Sequence, residues 1–191
     1  MKGGVETTVG YKEWGAVCKA LGTGGQSLLL RKGGIHEGRE GFSFKHDRFW
    51  LFPTRFHAQS EQVRVDEEED ESGESGEWQV GDAVPLQYYC EAVWARTLSD
   101  WKRVAGLERF HVWTESLVRE RFDCGEVQQI HCALVRVSAL AEPRMIPYQK
   151  KYGGCRTWVD LPALPERMES GPVLGKKEFS ELARALEEIV G

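Results

Sequence analysis

Apolar residues in YKEWGAVCKAL recur at Trp14, Val17, Cys18 and Leu21, the i, i+3, i+4, i+7 spacing that predicts a helix over 11–21 with one buried face. The glycines of GTGG end it, and QSLLLRK then forms an apolar run of strand length. After the polar stretch GGIHEGREG, the segment FSFKHDRFWLFPT carries aromatic residues through a second strand that ends at Pro53, since proline cannot donate to a ladder. Joined by that polar stretch, the two strands predict an antiparallel hairpin.

Further along, WQVGDAVPLQYYCEAVWARTL reads as one or two strands interrupted at Gly81 and Pro85. Helices are predicted over 99–109, with Trp101, Val104 and Ala105 inward, and over 114–122, with Val118 and Phe122 inward; Ser99 and Thr114 suit their N-caps. QQIHCALVRVSAL is a strand, and Pro143 and Pro147 bracket an irregular connection to YGGCRTWVDLP. A closing helix over 176–190 repeats Phe179, Leu182, Ala183, Leu186, Ile189 and Val190 on one face. The expected fold is α+β, a single compact domain with a largely antiparallel sheet and helices packed on it. A loose echo between LLLRKGG and the pair ALVRVSAL, YGGCRTW allows two similar subdomains, though it is too short to establish a repeat.

Charge refines this division. The net charge is −5, but DEEEDESGESGE at 66–77 holds eight carboxylates and no base, which leaves the other 179 residues at +3. Such a run cannot bury apolar surface and is expected to be a solvated, flexible loop. It splits the chain into an N-terminal helix-and-hairpin part (1–65), the acidic loop (66–77) and a C-terminal α+β part with the closing helix (78–191). No apolar run approaches the roughly 20 residues of a membrane helix and the N-terminus has no secretory signal pattern, so the expectation is a cytoplasmic protein with no membrane partner. Five scattered cysteines without a C-x-x-C pair disfavour both a disulfide framework and a zinc ribbon.

Several enzymatic motifs are excluded. GTGG lies between helix and strand, the reverse of a dinucleotide fingerprint, and no G-K-[ST] follows to make a P-loop. There is no G-x-S-x-G elbow and no H-E-x-x-H helix. The polar residues instead suggest an anion site. In RKGG, Arg31 can grip phosphate oxygens in a fork, Lys32 adds a mobile charge, and Gly33 and Gly34 let the backbone approach an anion. The same residues also suit the wet end of a strand followed by a turn. RMIPYQKKYGGCR adds Lys150, Lys151 and Arg156 among Tyr148 and Tyr152, with Trp158 just beyond, a mixture suited to phosphate neutralisation and base stacking. A divalent metal would draw on His36, Glu37, His46, Asp47 and His57; the catalytic candidates are His46, His57 and Cys155, the last beside an arginine able to favour its thiolate.

Taken together, KEW at 12–14, LLLRKGGI at 28–35, His46, FWLFPT at 49–54, His57, VRERF at 118–122 and YGGCRTWVDLP at 152–162 resemble an uncharacterised bacterial and archaeal family, a domain of unknown function. The resemblance runs from about residue 10 to the late 180s. It implies an association with Mrr-like restriction endonuclease domains, to which similar regions are fused, and hence a restriction or defence setting. The expectation is a nucleic-acid-interacting accessory module that contacts DNA or RNA, with a restriction-type nuclease as a further partner and no resident cofactor. The alternatives are a metal-assisted phosphoesterase or nuclease acting on a phosphate-bearing substrate, and a protein-interaction subunit.

Overall fold

The computed structural model describes residues 7–32, 43–55, 62–64, 76–164 and 169–191. They form one α+β domain built on an open, mixed sheet of seven strands. In chain order these are β1 (Val9–Trp14), β2 (Leu28–Arg31), β3 (Arg48–Thr54), β4 (Ala83–Leu98), β5 (Ile130–Pro147), β6 (Trp158–Asp160) and β7 (Ser170–Pro172). The helices are α1 (Gly15–Thr23), α2 (Trp101–Ala105), α3 (Glu115–Asp123) and α4 (Lys176–Val190). Across the sheet the order is β2-β5-β4-β3-β1-β6, with β7 beside β5, and β1–β3 is the one parallel pair among the described strands.

This order corrects the expected hairpin. β2 pairs with β5 and β3 with β4 and β1, so two strands stand between β2 and β3. The three leucines of β2 are all fully buried, and the stretch they pair with is the equally apolar Cys132–Leu134, about a hundred residues away. Strands from before and after the acidic stretch therefore share one sheet; residues 66–75 of that stretch lie outside the described residues.

The helix expected over 11–21 starts later, because Tyr11 to Trp14 belong to β1 and only Val17, Cys18 and Leu21 carry the helical stripe. Gly24 ends α1 at φ +83°, a left-handed backbone that glycine tolerates best. Asp100, rather than Ser99, caps α2 by accepting from the Lys102 N–H, whereas Thr114 caps α3 and α4 spans Lys176–Val190.

Prolines also mislead along β4 and β5. Pro85 and Pro143 lie inside these strands of 16 and 18 residues rather than interrupting them, while Pro147 is the last residue of β5. Ala83–Leu86 pairs with Arg144–Pro147 beyond the reach of β3 and β7, so among the described residues no further strand pairs with this part of the ribbon and asks for the N–H groups the prolines lack. Two register shifts, between Leu86 and Tyr88 and between Ala92 and Trp94, bend the long ribbon as bulges do.

Both faces of the sheet carry a core. Leu28, Leu30, Phe49 and Leu51 meet α1, α3 and α4 on one, while Trp50, Phe52, Leu86, Tyr152 and Val159 pack together on the other. Each such large side chain contributes on the order of 1.5–3 kcal/mol. The sheet stays open, but its twist and bulges let the Arg31 side chain at the end of β2 reach Thr157 just before β6, and the site lies where they meet.

Candidate functional site

Lys12 and Arg31 reach the same short segment from different strands. The Lys12 backbone N–H donates to the Thr157 carbonyl at 2.8 Å and its ammonium Nζ to the Gly154 carbonyl at 2.7 Å. Arg31, at the end of β2, donates from Nη2 to Thr157 Oγ1 at 3.2 Å and lies 5.7 Å from the Tyr11 ring centroid. Arg156 sits between these two anchor points with its side chain exposed. Burial lowers the Lys12 pKa below its ordinary value, and the charges of Arg31 and Arg156 push in the same direction, against the pull of Cys155 and Glu77. Three cations from distant parts of the chain thus feel one another around Gly154–Thr157.

An aromatic wall adjoins them. Trp158 stands edge-on to Tyr11 at 5.0 Å, Phe49 at 5.2 Å and His46 at 4.8 Å, and its buried indole Nε1 has no hydrogen-bond partner. Burial lowers the pKa of His46, with Lys45 adding to the effect and Asp160 and Asp47 opposing it. His46 is accordingly biased to the neutral form. Exposed Cys155 also belongs to this neighbourhood, through its influence on Lys12.

Other residues singled out in the sequence are placed elsewhere. The Lys32 ammonium donates to the carbonyls of Phe122, Val127 and Gln129 at 3.4, 2.6 and 3.2 Å, which ties β2 to the end of α3 and the loop after it. Tyr152 is fully buried, 5.2 Å from Phe52, and half-buried Tyr148 stands edge-on to it. Lys150 and Lys151 are exposed on the 3₁₀ turn Lys150–Tyr152, next to the cation cluster in the chain. Gly154 adopts φ +75° with open space beside its Cα. Gly33, Gly34, His36, Glu37 and His57 lie outside the described residues, among which no three His, Cys, Asp or Glu side chains are grouped to hold a metal ion.

Sequence reasoning passed over a set of residues behind the cations. Arg121 lies 5.0 Å from the Trp14 ring centroid and 5.5 Å from that of Trp113, and Nη1 donates to the Leu30 carbonyl at 3.4 Å. Burial lowers its pKa; Glu13, only 1% exposed, opposes the shift, and Arg31 adds to it. One Glu13 oxygen accepts from the Trp14 N–H at 2.8 Å, whereas Oε2 has no partner; Trp113 Nε1 and His111 Nδ1 are also buried without one. The clue was available in α3. Arg121 follows Leu117 by four residues and Val118 by three, which puts its side chain on the buried face.

The class defined by these features is an open α+β sheet in which side chains from β1 and β2 reach the segment before β6 and form a cationic cluster there. The chain belongs to the family described as a domain of unknown function, DUF1802, whose model matches residues 10–185. No curated protein matches the chain. Among solved structures it is similar to the ASCH protein from Zymomonas mobilis, at 12% identity over 92% of this chain and 93% of that one, with a TM-score of 0.47. Two variants of that protein are similar too. The serine-to-alanine variant has 13% identity over 95% and 97% of the two chains, and the tyrosine-to-phenylalanine variant 13% over 92% and 96%, each with a TM-score of 0.48. The likeness is too loose to bear on chemistry. Among the described residues no helix is long and apolar enough to cross a membrane.

Proposed function

We propose that this protein binds nucleic acid, DNA or RNA, through the cluster of Lys12, Arg31 and Arg156. The observation that carries the reading is the arrival of Lys12 and Arg31 on the segment Gly154–Thr157 that also bears Arg156. Their head groups neutralise backbone phosphate, with Lys150 and Lys151 extending the positive surface along the preceding turn. Trp158 and His46 form the apolar side of the interface against a sugar or base. Tyr152 and Lys32 take structural roles and are not part of it. The resemblance drawn in the sequence implies a restriction-type setting, in which this module would hold nucleic acid for a nuclease partner.

Fluorescence anisotropy with labelled single- and double-stranded oligonucleotides at two salt concentrations tests the reading. Binding should weaken steeply as salt rises, because each neutralised phosphate releases counterions. Salt-independent binding, or none at low salt, contradicts it.

A further inference from the structure

Three cations on one short segment raise the question of which phosphate they suit. Lys12 and Arg31 do not spread along a groove; both are anchored within the four residues Gly154–Thr157, and Arg156 projects from the same stretch. An internal phosphodiester carries one negative charge, and its strand continues in both directions. A phosphomonoester carries roughly −1.5 to −2 near neutral pH and offers three terminal oxygens, a closer match to concentrated positive charge.

The surroundings of the cluster point the same way. Glu77 acts on Lys12 and on Tyr148, while Asp47 and Asp160 act on His46. Carboxylates therefore stand by both the lysine flank and the histidine flank, where a strand passing straight through would bring further phosphates against them. A strand that ends in the cluster needs one way out, and the exposed Lys150–Lys151 turn supplies a basic one. The open space beside Gly154 leaves room for a tetrahedral group to approach the backbone.

We infer that the Lys12–Arg31–Arg156 cluster recognises a terminal phosphomonoester of a nucleic-acid strand rather than its internal phosphodiesters. This rests on the nucleic-acid reading above and adds the end of the strand as the feature recognised. Arg156, exposed and on the segment where the other two cations are anchored, is the discriminating contact. Lys12 and Arg31 are held by the fold and orient the charge.

The test uses the full chain with one short sequence, as DNA and as RNA, in four forms: 5′-phosphorylated, 3′-phosphorylated, hydroxyl-ended and circular. At least one phosphorylated form should bind about tenfold more tightly than the hydroxyl-ended and circular forms, a difference equal to about 1.4 kcal/mol. Inorganic phosphate at millimolar concentration should compete with that form. Arg156→Ala should abolish the preference and Arg156→Lys should keep most of it, with unchanged melting temperatures for both. Equal, salt-sensitive binding of all four forms would overturn end recognition while leaving the nucleic-acid interface standing. Binding of none would overturn both, as would competition by inorganic phosphate at a site that accepts no oligonucleotide.

Discussion

Arg31 and Thr157 are 126 residues apart in the chain and belong to opposite edges of the sheet, yet Arg31 Nη2 donates to Thr157 Oγ1 at 3.2 Å. The contact joins β2 to the residue that precedes β6 and places a guanidinium beside Lys12 and Arg156. Its two ends have separable consequences. Arg31→Ala should weaken oligonucleotide binding about tenfold and reduce the salt slope by about one phosphate contact. Thr157→Val should leave the slope unchanged and lower the melting temperature by a few degrees, since it removes a hydrogen bond worth roughly 1 kcal/mol. Anisotropy titrations beside thermal melts separate the two.

Lys32 provides the opposite case. Because its ammonium is engaged by three carbonyls at the end of α3 and in the following loop, Lys32→Met should cost on the order of 1 kcal/mol. Affinity and salt slope should not change. A reduced slope in the variant, measured at a temperature where it is fully folded, would return Lys32 to the interface.

Arg121 and Glu13 are interior groups that act on each other through space without a direct ion pair, and each should be costly to remove singly. Arg121→Met removes the hydrogen bond to the Leu30 carbonyl and the positive charge that Glu13 acts on, and should cost on the order of 1 kcal/mol or more; Glu13→Gln should also destabilise. The double variant should recover part of the summed loss, which denaturant melts of the four proteins would show as a coupling energy. Strict additivity would mean that the two groups do not interact.

His111 ties stability to pH. Burial, with Arg64 and Arg121 nearby, lowers its pKa from 6.5 to about 4, so the folded protein holds the ring neutral while the unfolded chain protonates it near its ordinary value. Between these values the unfolded state binds more protons, and stability falls as pH drops from 6.5 toward 4. The full difference amounts to about 3 kcal/mol. His111→Gln should flatten the dependence of unfolding free energy over that interval, relative to the unsubstituted protein.

The parts legible in the sequence are those dictated by neighbours a few positions away. The stripe from Phe179 to Val190 specifies an amphipathic helix, and α4 occupies 176–190; Thr114 capping α3 and the apolar run Leu28–Leu30 as a strand follow from equally local rules. Membership in a domain-of-unknown-function family was legible in the sequence, and the basic residues Arg31 and Arg156 were visible as candidate phosphate contacts. Lys12 was visible only as part of a motif, because a lone lysine in KEW shows no sign of the Gly154 carbonyl that receives it.

Strand pairing was decided by the tertiary structure. The hydrophobic pattern determines that Leu28–Leu30 must be buried but cannot name the strand they pair with, which is Cys132–Leu134 of β5, while β3 lies between β1 and β4. Pro85 and Pro143 are accommodated inside β4 and β5 because no third strand among the described residues pairs with that part of the ribbon, a property of the sheet and not of the segment. The cation cluster has the same origin: local chemistry supplied the charges one at a time, and only the tertiary arrangement, in which Arg31 at the end of β2 reaches Thr157 just before β6, brought Arg31, Lys12 and Arg156 together.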